Sequence, residues 1–265
     1  MKKAEAILQL AKEWRKSGIK TGDMVLVHSR ASRILRALKK SGVDIDPKDI
    51  VESFVQAVGK TGTVLFPTFN FEFNNGVPFD IDVTPSHMGA ITEAARKLEG
   101  AIRTGHPVYS FAVIGRNANI FNGVENYSGY GKDSPFAILH RNRGKIAVLD
   151  LPDQHSMTFY HYVEESLQVS YRFLKKFTGR YKGVSRKEEI REFAIYVRNI
   201  EQGVLTYVNP MGEILWDQGL YTGNKPLEGN GLRVADAEKV FNAVAHVIRS
   251  GKAQDTLYKI NLELK

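Results

Sequence analysis

Apolar residues recur along the chain with two spacings, one typical of helices and one typical of strands. Residues 4–16 place apolar side chains on one helical face, and Gly18 follows at a position that suits a helix end. Further helices are predicted after Ser29, from Ser86 to about residue 98, near Ser134, near Ser156 and over residues 234–249. Short apolar runs predict strands over residues 23–28, 63–66, 108–115, 145–149, 193–197 and 257–264. Strands that alternate with helices indicate an α/β fold, a mixed sheet with flanking helices.

Two stretches differ from the rest of the chain in composition. Residues 69–86 are rich in aromatic residues and Asn and contain Pro, which predicts a long loop, and long loops in compact domains are often functional. Residues 170–230, rich in Gly, Asn and aromatic residues, are the place where an inserted or capping subdomain fits. No internal repeat or low-complexity linker divides the chain, so residues 1–265 are predicted to form a single domain.

Composition narrows the class of protein. With 43% apolar and 25% charged residues, the 265-residue chain is typical of globular proteins. The absence of Cys excludes disulfides and thiolate chemistry. The N-terminal residues lack the apolar segment of a signal peptide, and no apolar run reaches the roughly 18 residues of a membrane span. We therefore expect a cytoplasmic protein with no membrane partner.

The formal net charge of +8 raises the question of an anionic partner. The Lys and Arg residues are scattered, with pairs such as Lys39-Lys40 but no basic run, which favours a solvated surface over a polyanion-binding patch. A nucleic-acid-binding protein would carry a basic and aromatic motif that the chain lacks, so nucleic acid is not an expected partner. CoA and nucleotide sugars, both multiply charged anions, fit the charge balance but are not selected by it.

The strongest catalytic candidate is a group of polar residues on one predicted helix. At helical spacing Thr158, His161, Glu164 and Glu165 share a face, so the imidazole has a hydroxyl group on one side and carboxylates on the other. A carboxylate that stabilises the imidazolium makes histidine an effective general base. Spacing alone leaves open a plain surface pair of His and Glu, which contributes little.

Residues that follow two predicted strands form a second candidate. His28 and Ser29 end or follow the first strand, and Thr68 follows the second. Ligands of α/β sheets bind at the carboxyl ends of strands, and a helix beginning at Ser29 would offer its N-terminal amides to a phosphate. Arg30 and Arg33 lie within reach of a pyrophosphate there. The same residues also suit a simple helix cap and solvated arginines.

Other chemistries find less support in the sequence. A zinc site without Cys would need residues such as His155, His161 and Glu164, but no spacing typical of zinc ligands is present, and we expect no metal. The Gly-rich fingerprint of dinucleotide-binding enzymes and the phosphate loop of NTPases are both absent. Residues 141–146 only half match the phosphate loop of the commonest acetyltransferase fold.

Six short motifs, taken in order, resemble those of the aminoglycoside 3-N-acetyltransferase family, in the antibiotic N-acetyltransferase superfamily. They are residues 26–29 (LVHS), 62–69 (GTVLFPTF), 79–80 with 84–90 (FD and TPSHMGA), 103–112 (RTGHPVYSFA), 131–136 (GKDSPF) and 158–164 (TxxHxxE). Each motif alone is weak, but six in the right order over residues 23–165 make a specific match.

The resemblance implies a mixed α/β fold distinct from the common acetyltransferase (GNAT) fold. It also implies direct transfer of an acyl group from acetyl-CoA or another acyl-CoA to an amine, without a metal. His161 would be the general base and Glu164 its orienting partner. The residues expected to contact CoA are His28, Ser29, Arg30, Ser32, Arg33, Thr68, Arg103, Ser110 and Phe111. The residues expected to contact the acceptor are Thr158, Asp80 and Glu165.

The sequence departs from the family in two places. Asp150 stands where aminoglycoside enzymes usually have Gly, and the last hundred residues match those enzymes poorly. Residues 171–179 and 209–216 are more similar to family members associated with surface-polysaccharide synthesis, which act on nucleotide-linked amino sugars. The predicted acceptor is therefore a nucleotide-linked amino sugar, and an aminoglycoside is the alternative.

Rivals from other classes are a non-catalytic anion-binding protein and a metal-dependent hydrolase. Acyl-CoA turnover would exclude the first, and chelator-insensitive activity would exclude the second. A homo-oligomer, for instance a dimer, completes the expected partners, although neither the oligomeric state nor the acyl group is readable from the sequence.

Overall fold

Seven strands form the central sheet of the computed structural model, which describes residues 2–261. In sheet order they are β10 (Thr222–Gly223), β11 (Leu232–Asp236), β6 (Lys145–Leu149), β1 (Met24–Ser29), β2 (Thr63–Pro67), β5 (Phe111–Gly115) and β4 (Ile102–Arg103). β1 pairs parallel with β2 and β6, whereas β11 and β5 pair antiparallel with β6 and β2. The predicted mixed sheet is confirmed.

Helices cover both faces of this sheet, because successive strand residues point to opposite sides. Val25 and Val27 of β1 belong to one hydrophobic cluster, whereas Leu26 belongs to the other. The helices are α1 (Lys3–Lys16), α2 (Ser32–Lys40), α3 (Pro47–Val58), α4 (Ala90–Arg96), α5 (Pro135–Arg141), α6 (Phe159–Ser166), α7 (Asn209–Asp217) and α8 (Ala237–Arg249). α1 and α3 supply side chains to the first cluster, and α5, α6 and α8 supply side chains to the second.

A long hairpin lies beside the central sheet and makes up much of the region predicted as an inserted or capping subdomain. Its strands are β7 (Arg172–Lys182) and β8 (Glu188–Arg198), and β3 (Phe79–Asp80) pairs parallel with β7. A second small sheet pairs β9 (Val204–Thr206) with β12 (Tyr258–Ile260). The division of residues 1–265 into one domain with a capping subdomain stays a prediction.

His106 of the RTGHP motif attaches this hairpin to the rest of the fold. Its Nδ1 accepts hydrogen bonds from the backbone N–H groups of Val108 and Tyr109, so the proton resides on Nε2, which lies 3.2 Å from the carbonyl oxygen of Ala194 in β8. Burial lowers the pKa of His106 to about 3 and keeps the ring neutral. The ring therefore holds β8 at a fixed position.

Several helix starts differ from the sequence prediction. Ser29 is not a cap but the last residue of β1, because Arg30 N–H still donates to Leu149 O, and α2 begins only at Ser32. Ser86 does not cap α4, which begins at Ala90 after Gly89, and instead its hydroxyl bonds Met88 N–H and Thr92 Oγ1. The helix predicted near Ser134 is confirmed as α5, and Ser134 caps it with its hydroxyl 3.3 Å from the backbone nitrogen of Ala137.

Other boundaries shift by a few residues or reveal elements that the sequence analysis does not contain. α8 begins at Ala237, because residues 232–236 form β11. The predicted strand 193–197 is part of the longer β8, and that over 257–264 is seen as β12, with residues 262–264 outside the described part. The elements absent from the prediction include α3, β7 and α7. In the described chain no helix is both long and apolar enough to cross a bilayer.

Candidate active site

The polar face of α6 lies beside the hairpin. Phe159, Tyr160 and Val163 are fully buried and hold the helix against the core. His161 and Glu164, one turn apart, then share the face that meets β7. Helical spacing and the amphipathic pattern of residues 158–166 together place this pair.

His161 and Glu164 are in direct contact. The imidazole Nδ1 lies 2.7 Å from Glu164 Oε2, and Glu164 is fully buried while 16% of the His161 side chain is exposed. An ionised carboxylate only accepts hydrogen bonds, so Nδ1 carries the proton and Nε2 keeps its lone pair. The pair therefore has the geometry of an oriented general base.

Arg172, the first residue of β7, completes the group. Its Nε lies 2.7 Å from the same Oε2 atom of Glu164, and only 5% of its side chain is exposed. Burial acts to raise the pKa of Glu164, but the charge of Arg172 and the contact with His161 outweigh it, so this pKa lies below its usual value. Glu164 is thus ionised at neutral pH.

The same surroundings lower the pKa of His161. Burial is the main cause and the charge of Arg172 is the second, while Glu164 acts in the opposite direction. The imidazole is consequently neutral at pH 7 and available to accept a proton. Tyr130 packs edge-on against it, with ring centroids 5.5 Å apart.

A cavity of about 440 Å³ opens beside His161, a size that suits a small-molecule ligand. Its wall is formed by His161, by residues of the hairpin and of the segment that follows it, and by Tyr109 and Tyr130 from earlier in the chain. The lining residues are Tyr109, Tyr130, His161, Arg172, Phe173, Lys175, Ile195, Tyr196, Val197, Arg198, Ile200, Glu201 and Thr206. Of the residues predicted from sequence, His161 is the one that lines this cavity.

The residues at the carboxyl end of β1 lie close together in the chain but differ in surroundings. His28 is buried, and burial with the charge of Arg233 lowers its pKa to about 3, so it is neutral. His28 Nε2 and Ser29 Oγ are buried without a hydrogen-bond partner in the described structure. Arg30 and Ser32 are exposed next to the first turn of α2.

Arg33 forms an ion pair with Asp150. Its Nε and Nη2 lie 2.9 Å and 3.0 Å from the two carboxylate oxygens of Asp150, and Asp150 also accepts the N–H of Leu227. Asp150 has a φ of 53°, in the left-handed region that glycine adopts without strain. A Gly here, which the resemblance to aminoglycoside enzymes implies, would adopt this conformation without strain, and Asp150 adopts it while adding a partner for Arg33.

Four further residues predicted to contact CoA are embedded in the protein. Thr68 Oγ1 and Ser110 Oγ lie 2.9 Å apart, and Arg103 donates to Ser110 Oγ and to the carbonyl oxygen of Thr84. Phe111 is fully buried, edge-on to other aromatic rings. None of these four lines the cavity beside His161, and their contacts join the loop of residues 69–86 to the sheet. Their role toward CoA stays a prediction.

The three residues predicted to contact the acceptor are separated by the fold. Thr158 immediately precedes α6, and its Oγ1 is buried without a partner in the described structure. Glu165 accepts a hydrogen bond from Ser128 Oγ at 2.7 Å, and burial raises its pKa. Asp80 pairs with Lys182 at 2.9 Å. Lys182 follows Arg172 by ten residues in β7, which places Asp80 ~33 Å from Arg172 along the strand. The structure separates Asp80 from His161.

Sequence reasoning missed Arg172, Tyr130 and the cationic residues of the cavity. Arg172 follows Glu164 by eight positions, on a different element, and no local pattern connects them. Tyr130 stands directly before the recognised GKDSPF motif, which is the one signal that pointed to its segment. Within residues 2–261 no group of three or more His, Cys, Asp or Glu side chains has the geometry to hold a metal ion.

Comparison with known proteins agrees with this architecture. The sequence profile described as aminoglycoside 3-N-acetyltransferase matches residues 26–249, which is most of the chain. The chain belongs to the aminoglycoside 3-N-acetyltransferase family. Family membership accounts for the order of the six motifs and for the mixed sheet.

Curated relatives in this family share a quarter or more of the aligned residues. Aminoglycoside N(3)-acetyltransferase IX of Micromonospora chalcea is 28% identical over 181 residues, 59% of this chain and 61% of the relative. The type VII enzyme of Streptomyces paromomycinus is 25% identical over 179 residues, 59% of each chain. The chain thus aligns with about three fifths of the length of these relatives.

Solved structures of the family share the fold. The crystal structure of aminoglycoside acetyltransferase AAC(3)-Xa superposes with a TM-score of 0.77 at 20% identity, covering 91% of this chain and 92% of the other. AAC-IIIb, solved as a binary complex with CoASH, gives a TM-score of 0.76 at 19% identity, covering 92% and 96%. These neighbours have the aminoglycoside acetyltransferase fold rather than the GNAT fold.

Proposed function

We propose that the protein transfers an acyl group from an acyl-CoA to the amino group of a sugar. The observation that carries the proposal is the contact of His161 Nδ1 with the buried Glu164 carboxylate beside a ligand-sized cavity. Membership of the aminoglycoside 3-N-acetyltransferase family supports the same reaction.

His161 acts as the general base in this proposal. Nε2 removes a proton from the amine as its nitrogen forms a bond with the acyl carbon, and Glu164 stabilises the imidazolium that results. The carbon–sulfur bond then breaks, and the imidazolium returns the proton to the departing thiolate of CoA. Proton balance is complete without a metal.

The carboxyl end of β1 has groups that fit the phosphates of CoA. Ser29 Oγ is buried without a partner, and exposed Arg30 and Ser32 stand at the N-terminal turn of α2, where backbone N–H groups point outward. Arg33 is engaged by Asp150, so we assign the phosphate contact to Arg30 and the hydroxyl groups instead. Acetyl-CoA is the donor that the family favours.

The acceptor of the acyl group is either an aminoglycoside or a nucleotide-linked amino sugar. The named relatives are aminoglycoside acetyltransferases, which favours the aminoglycoside alternative of the sequence analysis over a nucleotide-linked amino sugar. The nucleotide-linked acceptor is supported by charge alone, since the cavity beside His161 contains Lys175 and Arg198. Cytoplasmic location and a homodimer stay predictions.

The proposed function is tested by following CoA thiol release from acetyl-CoA in the presence of aminoglycosides and of free or nucleotide-linked amino sugars. His161→Ala and His161→Gln should lower kcat by about 10²- to 10⁴-fold, the contribution of a positioned general base. His155→Gln, which changes an exposed histidine six residues earlier, is the matched control and should keep the wild-type rate. Wild-type turnover by His161→Gln would contradict the mechanism.

A further inference from the structure

Cationic side chains outnumber carboxylates in the cavity beside His161. Its wall contains Arg172, Lys175 and Arg198, and Glu201 is its one carboxylate among the described residues. The charge of Arg172 is matched by Glu164, at 2.7 Å. Lys175 and Arg198 are exposed and form no ion pair with another described residue, so their charges are available to a ligand that enters the cavity.

The excess of positive charge continues into a neighbouring cavity of about 390 Å³. The two cavities share Arg198 and Thr206, and the second is also lined by Lys259, with no Asp or Glu in its described wall. Lys259 lies over the ring of Tyr207, 5.1 Å from its centroid, which orients the ammonium group along this wall. Arg198 therefore stands between the catalytic histidine and a second cationic patch.

On this basis, and resting on the proposed acyl transfer, we infer that the acceptor is an amino sugar carrying a phosphate or carboxylate group, which Lys175, Arg198 and Lys259 bind. An aminoglycoside, with several ammonium groups, would bring like charges together in a cleft that offers one carboxylate, Glu201. An anionic acceptor instead gains attraction on approach and in the complex.

The same charges suit the chemistry of the amine. A protonated amine has no lone pair for attack, and nearby cations disfavour protonation. Arg198 lies near enough to be one of the charges that lower the pKa of His161. A sugar amine placed beside His161 would feel the same field and react in its neutral form, while the anionic group remains in contact with the cations.

Charge reversal at the cavity tests the inference. Arg198→Glu and Lys175→Glu should each lower kcat/KM for glucosamine 6-phosphate and for a UDP-linked amino sugar by about 10-fold or more, through KM, with the KM for acetyl-CoA unchanged. Comparing these two acceptors with a glucosamine uronic acid separates phosphate from carboxylate as the anionic group. Wild-type protein should use unmodified glucosamine and gentamicin less well than the best anionic acceptor.

Arg180→Glu is the matched control, since Arg180 is an exposed cation of the same strand, eight residues from Arg172, and lines neither cavity. It should change kcat/KM by less than about 2-fold. An equal effect of Arg180→Glu, or a raised KM for acetyl-CoA in Arg198→Glu, would overturn the inference. A wild-type preference for gentamicin that the charge reversals strengthen would also overturn the inference, but the proposed acyl transfer would stand. If no acceptor released thiol, the proposed function would fail, and the inference with it.

Discussion

At the scale of single residues, the Oε2 atom of Glu164 is the point on which the site depends. It lies 2.7 Å from both His161 Nδ1 and Arg172 Nε. A buried carboxylate facing the imidazole alone would favour the imidazolium, which cannot accept a proton. Arg172 balances that charge, so the histidine is oriented by Glu164 and still neutral. We regard Arg172 as a positioning residue, because it acts through Glu164.

Arg172→Gln should move the acid limb of the pH profile of kcat/KM to higher pH. Arg172 is the second cause, after burial, of the lowered pKa of His161, so its removal lets that pKa rise. Activity requires the neutral imidazole and is lost as pH falls through this pKa; in the variant the loss begins at a higher pH. Measurement of kcat/KM between pH 5 and 9 on wild type and variant decides this, with ~pH 6.5 as the unperturbed reference.

Arg180→Gln, on the same strand but away from the site, should leave the profile in place. Arg172→Gln should also lower the free energy of unfolding by about 3–5 kcal/mol, since it leaves Glu164 buried with one partner fewer. A destabilised variant with an unshifted acid limb would show that Arg172 is structural and does not tune His161.

At the scale of elements, the loop after β6 is shaped by one residue in a left-handed conformation. Asp150 (φ 53°) receives Arg33 from α2 and the N–H of Leu227 from the loop before β11, while its own N–H donates to Gly231 O. A side chain on Gly231 would collide with the Asp150 carboxylate and with Arg33. Three elements thus meet at Asp150.

Asp150→Ala should be less stable than Asp150→Gly, although Ala is the closer relative of Asp in size. Both variants lose the pair with Arg33, at a cost of about 1–3 kcal/mol. Ala also keeps the strain of a left-handed residue, ~1 kcal/mol, which Gly does not suffer. Urea denaturation of the two variants measures the difference. Arg33→Ala removes the same ion pair, together with the bond from Arg33 to Gly229 O, without changing the backbone at position 150. Equal stability of Ala and Gly at position 150 would contradict this account.

At the scale of the whole molecule, the central sheet separates two hydrophobic clusters, and the candidate site is built on one of them. The other cluster contains Trp14, which stacks on Phe54 with centroids 5.0 Å apart and donates to Ser53 Oγ at 2.8 Å. His161 and its partners belong to elements that pack on the opposite face. A substitution in the cluster around Trp14 can therefore lower stability without altering the candidate site.

Trp14→Ala should lower the free energy of unfolding by about 3–5 kcal/mol and leave kcat/KM at low temperature unchanged. The cost comes from a large cavity and from the lost hydrogen bond to Ser53 Oγ, which keeps its own bond to Ile50 O; neither lies on α6 or the hairpin. Urea denaturation and thiol-release kinetics on one preparation check both statements. Leu8→Ala, exposed on the same helix, should change neither quantity, and a large loss of kcat/KM in Trp14→Ala would refute the separation.

The sequence by itself determined the elements whose pattern is local. The apolar face of residues 4–16, the strands around residues 24–29, 63–67 and 145–149, and the helix start near Ser134 are all present. The pair of His161 and Glu164 was also accessible, because residues three apart on a helix are neighbours in any fold. Six ordered motifs identified the family for the same reason, since each motif is a contiguous segment.

Only the tertiary structure decided what lies between elements. It brought Arg172 to Glu164, paired Arg33 with Asp150, buried Ser110 and Phe111, and carried Asp80 to the far end of the hairpin. It also collected Lys175, Arg198 and Lys259, which are scattered in the sequence, along one cleft. Such contacts depend on how helices and strands pack, and side-chain packing between distant segments leaves no periodic signal in the chain.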